Sequence, residues 1–419
     1  MVKYFLSFLI LLFTSLTLPA QTIKTGVLVI GNTAAGVAAS VQSARSGAKT
    51  IWLTQSSAIS AELSPEDITY LQNIQNHYQA KLRKKPGIKE NIVSLDVNMS
   101  KEKYLSLLKN ISDTTKNLSV TLNTALEKIE KDGKGWEVKL KNGQKIKAEV
   151  VVDATENLFI ASILRIDATK TTGNGFALKS PFDNKLYRST VANAYLISNS
   201  SRSASPVPIG AFLPAGTENF IIAPKSTSEI KLVNMSAGQA AGTIASYCAF
   251  FKTTTKNINV RAVQTELLTF DAQLIPLADV PVSDPNFLAF QRMALSGLLK
   301  PVISKEEGRN VINFDTTGTI SSEQLQVPVK EFYSRSQIWF ADNKKEVMTI
   351  GDAISLFMFT ATRGEELKKE IEEGWKESFQ FDSKFDLKRN ITRKEFAILA
   401  DRYLQPFNIR VDFAGNLLS

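Results

Sequence analysis

The chain has 419 residues, 43% of them hydrophobic and 22% charged, a composition that excludes intrinsic disorder and favours two folded domains over one. Its only cysteine, Cys248, excludes an internal disulfide and cysteine-based metal clusters. Its only histidine, His77, argues against zinc sites and Ser-His-Asp catalysis, which need imidazole as a ligand or base. We therefore expect no metal site.

The net charge of +9 is unevenly divided along the chain. Residues 1–270 carry 31 basic and 19 acidic side chains, whereas residues 271–419 carry 19 and 22. A basic front half attracts anionic ligands such as a dinucleotide or a polyanionic sugar, or it is simply a solvated surface. We expect no nucleic-acid partner, because the chain contains no recognised nucleic-acid-binding motif.

The N-terminus has the pattern of a secretory signal peptide. Lys3 supplies the positive charge, residues 4–16 form an apolar run, and residues 17–20 end in Ala20, a small residue suited to cleavage. A retained anchor is the alternative, but the apolar run is shorter than the roughly 20 residues that a spanning helix needs. We expect residues 1–20 to be removed and the mature chain to be exported to the periplasm or the extracellular space.

The mature chain opens with a strand, a tight turn, a helix and a second strand. Residues 26–30 and 49–53 are short apolar runs, and residues 37–47 between them place alanines at helical spacing. This order predicts a parallel βαβ unit whose turn is Gly31-Asn32-Thr33-Ala34-Ala35-Gly36.

Further short runs follow a polar, helix-prone segment over 56–118. Four of them are separated by turn signals and predict a small antiparallel meander: 120–122, 126–129, 136–140 and 145–148. A buried strand over 149–152 then leads into Asp153-Ala154-Thr155. A strand over 220–223 precedes an alanine-rich helix over 236–251.

The rear part of the chain changes character. Residues 278–297 followed by 314–321 have a later echo in residues 385–403. Each copy supplies a loop whose Ser or Thr is suited to cap a helix with an apolar face. We predict a separate, mostly helical domain over 271–419, behind a front domain over 21–270.

The Gly31–Gly36 turn has part of the spacing of a dinucleotide-binding turn. A glycine that ends the first strand permits a sharp bend, and the next helix presents free N–H groups to a pyrophosphate. Gly31 and Gly36 stand at the first and last glycine positions of this pattern, and Thr33 stands at the middle glycine position. Gln55 follows the second strand, where an acid usually accepts from ribose hydroxyls. An ordinary strand-to-helix turn is the alternative.

Three segments in order resemble the FAD-dependent oxidoreductase family of the glutathione-reductase-like fold: residues 30–39, 151–155 and 235–242. Residues 208–214 and 219–226 also fit in order, so the resemblance covers residues 25–270. It implies FAD as cofactor and an α/β fold with a Rossmann-like FAD/NAD(P)-binding βαβ domain and a small antiparallel β meander. The mostly α-helical C-terminal domain follows this fold.

The resemblance also implies which residues bind FAD. The first turn would hold the cofactor, backbone near Leu126 would contact the adenine, and the N-terminus of the helix with Gly238 and Gly242 would approach the flavin. A buried helix that only packs against the sheet is the alternative. The implied cofactor-binding residues are Gly31, Asn32, Thr33, Ala35, Gly36, Gln55, Leu126, Ala154, Thr155, Gly238, Gln239, Ala241 and Gly242.

The chain departs from the family pattern at four places. Gln55 replaces an acid, Glu156 replaces a glycine, residues 223–225 replace an Ala-Gly-Arg turn, and residues 56–61 replace a glycine-rich flavin-facing segment. These departures predict a weakened affinity for FAD. In the rear part, residues 279–299 and 391–397 resemble S-layer-homology-like repeats, which implies binding to an envelope polysaccharide or protein. A plain helical bundle is the alternative.

Three functions remain open at this stage. The first is an exported FAD-dependent oxidoreductase whose flavin accepts a hydride from an unknown small-molecule substrate. The second is a non-catalytic, degenerate flavoprotein scaffold that binds an envelope polysaccharide or protein. The third, a carbohydrate lyase or hydrolase, rests only on export and basic charge. No catalytic residue is assigned, and the candidates for a base are Asp153, Glu156 and Lys225.

Overall fold

The computed structural model describes residues 22–56, 67–68, 101–173, 183–198, 201–226, 230–306 and 309–418 of the protein. The predicted signal peptide, His77 and residues 57–61 lie outside these ranges. No helix in the described ranges is long and apolar enough to cross a membrane.

The strands are β1 Thr22–Ile30, β2 Thr50–Leu53, β3 Leu118–Thr121, β4 Leu126–Asp132, β5 Gly135–Leu140, β6 Lys145–Asp153, β7 Thr190–Ser198, β8 Ser201–Pro208, β9 Phe220–Ile222, β10 Ile230–Leu232, β11 Val302–Glu306 and β12 Arg309–Asn313. The α-helices are α1 Ala34–Arg45, α2 Lys101–Thr114, α3 Phe159–Ile163, α4 Asn184–Arg188, α5 Asn234–Phe250, α6 Val260–Thr269, α7 Phe287–Ser296, α8 Ser322–Phe332, α9 Ser336–Asp342, α10 Ile350–Ala361, α11 Glu366–Gly374 and α12 Arg393–Tyr403. Short 3-10 helices span Ile209–Phe212, Thr255–Asn257 and Pro406–Asn408.

The front half is built around a seven-stranded mixed sheet. Strands β3, β2, β1 and β6 run parallel in that order, and β9 continues the parallel set beside β6. Residues 27–30 of β1 are all buried, as expected for a parallel strand covered on both faces. The α/β fold class and the predicted βαβ unit, formed by β1, α1 and β2, are confirmed.

The predicted four-stranded meander is confirmed for three strands and wrong for the first. Strands β4, β5 and β6 are antiparallel neighbours. The run at 120–122 instead belongs to β3, which pairs parallel with β2 at the other edge of the sheet. A short apolar run does not encode strand direction. The direction of β3 follows from α2, the helix before it, because parallel strands need a crossover connection.

β6 joins the meander to the parallel strands because its neighbour changes along its length. Residues 145–148 pair antiparallel with β5, whereas residues 151–153 pair parallel with β9. β1 runs along the other side of both halves. The end of β6 therefore reaches the same sheet edge as the ends of β1 and β9.

The rear part, residues 271–419, is mostly helical but also contributes β11 and β12. These strands extend a five-stranded sheet with the order β10, β7, β8, β12, β11. The two strands were not predicted, because their alternating runs are short and polar. One hydrophobic cluster contains residues from both sides of position 271, such as Leu268 and Phe290. The division into domains at that position stays a prediction.

Three helices of the rear part begin at capping boxes, namely α8 at Ser321, α10 at Thr349 and α12 at Thr392. The predicted caps before α8 and α12 are confirmed. The loops that precede the three helices meet, because Met348 N–H donates to the Ile320 carbonyl at 2.8 Å and Ile391 N–H donates to the Met348 carbonyl at 3.0 Å. The three helix starts therefore share one loop cluster.

Candidate functional site

Gly31 directly follows β1 and has a backbone conformation that favours glycine. Its φ is +131°, and a Cβ there would stand 2.2 Å from the carbonyl oxygen of Ala154 and 2.6 Å from the amide nitrogen of Thr155. The two segments touch because β1 and β6 are parallel neighbours, with Ile30 opposite Asp153. The structure therefore brings together three predicted residues at the carboxyl edge of the parallel strands, where open α/β sheets bind ligands.

Thr33 is the N-cap of α1. Its hydroxyl accepts a hydrogen bond from the Gly36 N–H at 3.2 Å and donates to the Ala154 carbonyl at 2.8 Å. A Cβ on Gly36 would stand only 2.6 Å from the Gly31 carbonyl oxygen, so glycine at this position lets the helix start close to the turn. Thr33 thus stabilises the turn, and its hydroxyl already accepts from one of the N–H groups at the start of α1.

The start of α1 presents two further donors. In the part of the chain that the structure describes, the N–H groups of Ala34 and Ala35 donate to no protein atom, because the first N–H groups of a helix have no acceptor within it. No acidic side chain lies in this first turn, and Asn32 lies in the loop just before it. The free donors and the helix dipole favour an anion such as a pyrophosphate.

Gln55 and Leu126 lie near each other at the next strand ends. Gln55 is exposed and follows β2. The Thr54 N–H donates to the Thr121 carbonyl at 2.9 Å, and the Thr124 N–H donates to the Thr54 carbonyl at 3.0 Å. These backbone bonds hold the start of β4, where Leu126 lies, beside the end of β2.

Asp153 fixes the turn after β6. Its buried carboxylate accepts from the Thr155 N–H at 3.1 Å, the Thr155 hydroxyl at 2.6 Å and the Ala161 N–H at 2.8 Å. Burial raises the pKa of Asp153, and these hydrogen bonds oppose the rise. Because both oxygens serve the turn, Asp153 is a positioning residue.

Lys225 brings a positive charge to the same edge. It follows β9, whose last residue pairs with Asp153, and its side chain is half-buried. Burial lowers the pKa of Lys225, while the charges of Asp153 and the exposed Glu156 oppose this shift. One cation and two acids therefore surround the strand ends next to the Gly31 turn.

The predicted residues on α5 lie against α1. A Cβ on Gly238 would stand 2.2 Å from the Ala35 carbonyl oxygen, and one on Gly242 would stand 2.3 Å from that of Ala39. The Gln239 side-chain amide donates to that of Gln42 at 3.0 Å, and Ala241 is fully buried. These contacts are typical of two closely packed helices. They favour the alternative interpretation, in which the small residues of α5 serve packing.

The N-terminus of α5 has an anionic partner from within the chain. Asp67 is fully buried, and its carboxylate accepts from the Met235 N–H at 2.8 Å and from the Asn234 side-chain amide at 3.4 Å. Negative charge is favourable at this end of a helix. The sequence analysis missed Asp67, because no local pattern links residues so far apart in the chain.

Trp52 is a second residue that the sequence analysis missed. Its buried indole N–H, from β2, donates to the Gly31 carbonyl at 2.6 Å. This bond supports the turn from the side opposite Ala154. A tryptophan inside a strand beside a glycine turn is the only signal in the sequence that points to it.

Residues 26–162 match the family model described as FAD dependent oxidoreductase. The match contains residues 26–30 of β1, the Gly31–Gly36 turn and the end of β6. This segment is similar to the FAD-dependent oxidoreductase family. FAD is the cofactor of that family, and the match leaves residues 163–419 outside it.

The solved structures to which the chain is similar have low sequence identity and low TM-scores. Thioredoxin reductase from T. acidophilum is 16% identical over 38% of this chain and 39% of that chain, with a TM-score of 0.22. The halogenase PltM, solved with phloroglucinol and FAD, is 15% identical over 41% and 39%, with a TM-score of 0.25. PqsL from Pseudomonas aeruginosa, a "probable FAD-dependent monooxygenase", is 14% identical over 66% and 96%, with a TM-score of 0.31.

The chain spans less than half of the length of the thioredoxin reductase that it matches. No curated protein matches the chain. The similarity to the family model is confined to residues 26–162.

The strand edge fits the adenosine and pyrophosphate part of FAD. Gly31 has no Cβ to crowd a ligand, and the N–H groups of Ala34 and Ala35, which have no acceptor among the described residues, can donate to phosphate oxygens. The Gln55 amide can hydrogen-bond a ribose hydroxyl without a charge. The Thr33 side chain takes the place of a glycine in this cradle.

Proposed function

We propose that the protein is an exported FAD-dependent oxidoreductase that holds FAD at the carboxyl edge of its parallel strands. The observation that carries the proposal is the contact of Gly31 with Ala154 and Thr155, next to the free N–H groups at the start of α1. The family match over residues 26–162 supports the same cofactor. The signal-peptide pattern over residues 1–20 supports export.

Each residue of the cradle has a role in this proposal. Ala34 and Ala35 donate backbone N–H groups to the pyrophosphate, and Gln55 hydrogen-bonds the adenosine ribose. Asp153 keeps the turn after β6 against Gly31. When bound, FAD supplies two-electron redox chemistry towards a small-molecule substrate.

Lys225 is the described group best suited to move a proton at this edge. Asp153 is committed to its turn, and Glu156 is exposed. The half-buried amine of Lys225 has a pKa that burial lowers, which brings it closer to the range of a general acid or base.

The visible spectrum tests the proposal. The mature chain is purified without added flavin, and its absorbance is recorded before and after a reductant is added. A yellow protein whose flavin absorbance bleaches supports the proposal. A colourless protein that also fails to take up added FAD contradicts it.

A second candidate function is a non-catalytic scaffold that binds an envelope polysaccharide or protein. Two observations favour it. Protein groups already occupy donors at two helix starts, since Thr33 accepts from Gly36 and Asp67 accepts from Met235. In the rear part, three capped helices share one loop cluster.

Co-sedimentation with purified cell-envelope sacculi tests this second function. The full mature chain is mixed with sacculi, with and without added FAD. A colourless protein that sediments with sacculi supports the scaffold. Failure to sediment contradicts envelope binding and leaves the flavin test unaffected.

A further inference from the structure

Three arginines meet where the C-terminal segment contacts α6. The guanidinium carbons of Arg261 and Arg292 lie 4.6 Å and 5.9 Å from the centre of the Phe407 ring. Arg188 is joined to Arg261 through Gln264, whose side-chain amide donates to the Arg188 carbonyl at 3.0 Å and accepts from Arg261 Nη1 at 2.9 Å. We call Arg188, Arg261 and Arg292 the arginine cluster.

Among the residues that the structure describes, the arginine cluster has two carboxylate partners for its three positive charges. Arg188 pairs with Glu331, and Arg292 pairs with Asp401 at 3.1 Å. Within the described ranges, Arg261 pairs with no carboxylate, although it is only 4% exposed. A buried charge without a counter-charge is costly. One positive charge in this cluster therefore needs compensation.

Two buried N–H groups of the cluster also lack acceptors. These are Nη2 of Arg261 and Nε of Arg292, neither of which has a partner among the described residues. Arg261 Nε donates to the Ile409 carbonyl at 3.2 Å, which is a neutral acceptor. Burial, and then the nearby charge of Arg188, lower the pKa of Arg261 to about 9, as expected for a cation whose charge is poorly compensated.

We propose that the arginine cluster binds a small monovalent anion of the chloride class, with Arg261 Nη2 as its principal donor. The anion supplies the missing negative charge and accepts from a buried N–H that is otherwise unpaired. A carboxylate is best recognised by two parallel donors of one guanidinium. Because Nε and Nη1 of Arg261 already have partners, a monatomic anion fits the remaining nitrogen better.

The bound anion would stabilise the contact between the front and rear parts. Arg261 lies in α6, at the end of the front half, and Ile409 and Phe407 lie near the C-terminus. Compensation of the Arg261 charge strengthens this contact without any change in the flavin cradle. The inference is independent of the proposed function.

Thermal unfolding at constant ionic strength tests the proposal. Sodium chloride replaces sodium gluconate stepwise, and the midpoint Tm is recorded for the full mature chain. We expect a saturable rise in Tm of about 1–3 °C, because a ligand that binds only the folded state stabilises it. Bromide should act like chloride. Acetate should have no saturable effect.

Two variants separate specific binding from general salt effects. Arg261→Met should abolish the chloride-dependent rise in Tm. Arg363→Met is the matched control, since Arg363 is exposed and pairs with Glu366 and Glu370 at the surface. It should keep the wild-type rise.

Three results would overturn the proposal. They are no saturable chloride effect in the wild type, a response to acetate alone, or an unchanged response in Arg261→Met. If Arg261→Met does not fold, the proposal is tested by the NMR line width of chloride in a solution of the wild-type protein. Broadening that bromide reverses supports the site, and its absence rejects it.

Discussion

The hydroxyl of Thr33 donates a hydrogen bond to the carbonyl oxygen of Ala154 at 2.8 Å, so a side chain joins the first turn to the end of β6. The same hydroxyl accepts from the Gly36 N–H and caps α1. In a dinucleotide-binding turn, a glycine at this position leaves room for the phosphates. Thr33 therefore stabilises the turn, but its side chain takes up space that a glycine would leave for the ligand.

Replacing Thr33 tests its contribution to stability. Thr33→Val keeps the shape of the side chain but loses the cap and the bond to Ala154, so we expect the free energy of unfolding to fall by about 1–2 kcal/mol. Thr33→Ser keeps the hydroxyl and should stay close to the wild type. Urea unfolding measures both. Equal stability of Thr33→Val and the wild type would contradict the role of the hydroxyl.

Replacing Gly31 tests the close approach of β1 and β6. Gly31→Ala adds a Cβ 2.2 Å from the Ala154 carbonyl oxygen at a φ of +131°, so we expect a loss of about 2–4 kcal/mol in unfolding free energy. Gly143→Ala is the control, since its φ is also positive but its Cβ meets no atom within 4 Å. It should cost only about 1 kcal/mol. Similar losses in the two variants would show that contact with β6 is unimportant.

Replacing Gly238 tests whether this glycine serves packing. A Cβ there meets the Ala35 carbonyl oxygen at 2.2 Å, so Gly238→Ala should lower the unfolding free energy of the flavin-free protein by about 1–3 kcal/mol. Gly351 is also in a helix, but its nearest neighbour lies at 3.0 Å, and Gly351→Ala should cost less. If Gly238→Ala changed FAD uptake but not flavin-free stability, the packing role would be wrong.

Replacing Gln55 tests the ribose end of the cradle. Gln55→Glu restores a charge-assisted acceptor for the ribose hydroxyls, and we expect FAD to bind about 5–10-fold tighter. Gln337→Glu, at an exposed position on α9, controls for the added charge and should leave the affinity unchanged. Fluorescence titration with FAD measures both. Weaker FAD binding by Gln55→Glu would show that the ribose does not lie beside Gln55.

Glu395 makes the stability of the rear part depend on pH. Burial raises its pKa, but hydrogen bonds from Arg389, Ser383 and the Thr392 N–H outweigh this effect, so the folded-state pKa lies below the ordinary value of 4.5. The contribution of Glu395 is therefore present above pH 4.5 and is lost as the pH falls through the folded-state pKa.

Urea unfolding across this pH range checks the assignment. Glu395→Gln should lower the unfolding free energy at neutral pH and should flatten its decline below pH 4.5. Glu372→Gln, at an exposed position on α11, should retain the decline of the wild type. An unchanged decline in Glu395→Gln would assign the acid sensitivity to other carboxylates.

Local patterns predicted the βαβ unit, the Gly31–Gly36 turn and the helix caps at Ser321 and Thr392. Each of these depends on residues that are neighbours in the chain. The direction of β3 could not be predicted, since residues 118–121 look alike as a parallel or an antiparallel strand. It depends on the connection through α2 and on pairing with β2.

Long-range contacts in the candidate site escaped the sequence analysis for a related reason. Asp67 reaches the start of α5, and Trp52 reaches the carbonyl of Gly31, only after the sheet has formed. The sequence does not show whether the missing side chains of Gly238 and Gly242 make room for a ligand or for a neighbouring helix. Only the position of α1 decides that they pack against Ala35 and Ala39.

The most direct test of the central claim is a titration of the mature chain with FAD, followed by flavin fluorescence. We predict saturable binding by the wild type and none by Gly31→Asp, because a carboxylate there would meet the Ala154 backbone and repel the pyrophosphate. Gly47→Asp, just beyond the C-terminal end of α1, also has a positive φ and open space around its Cβ, and it should bind like the wild type. Equal binding by Gly31→Asp, or no binding by the wild type, would contradict the proposed FAD site.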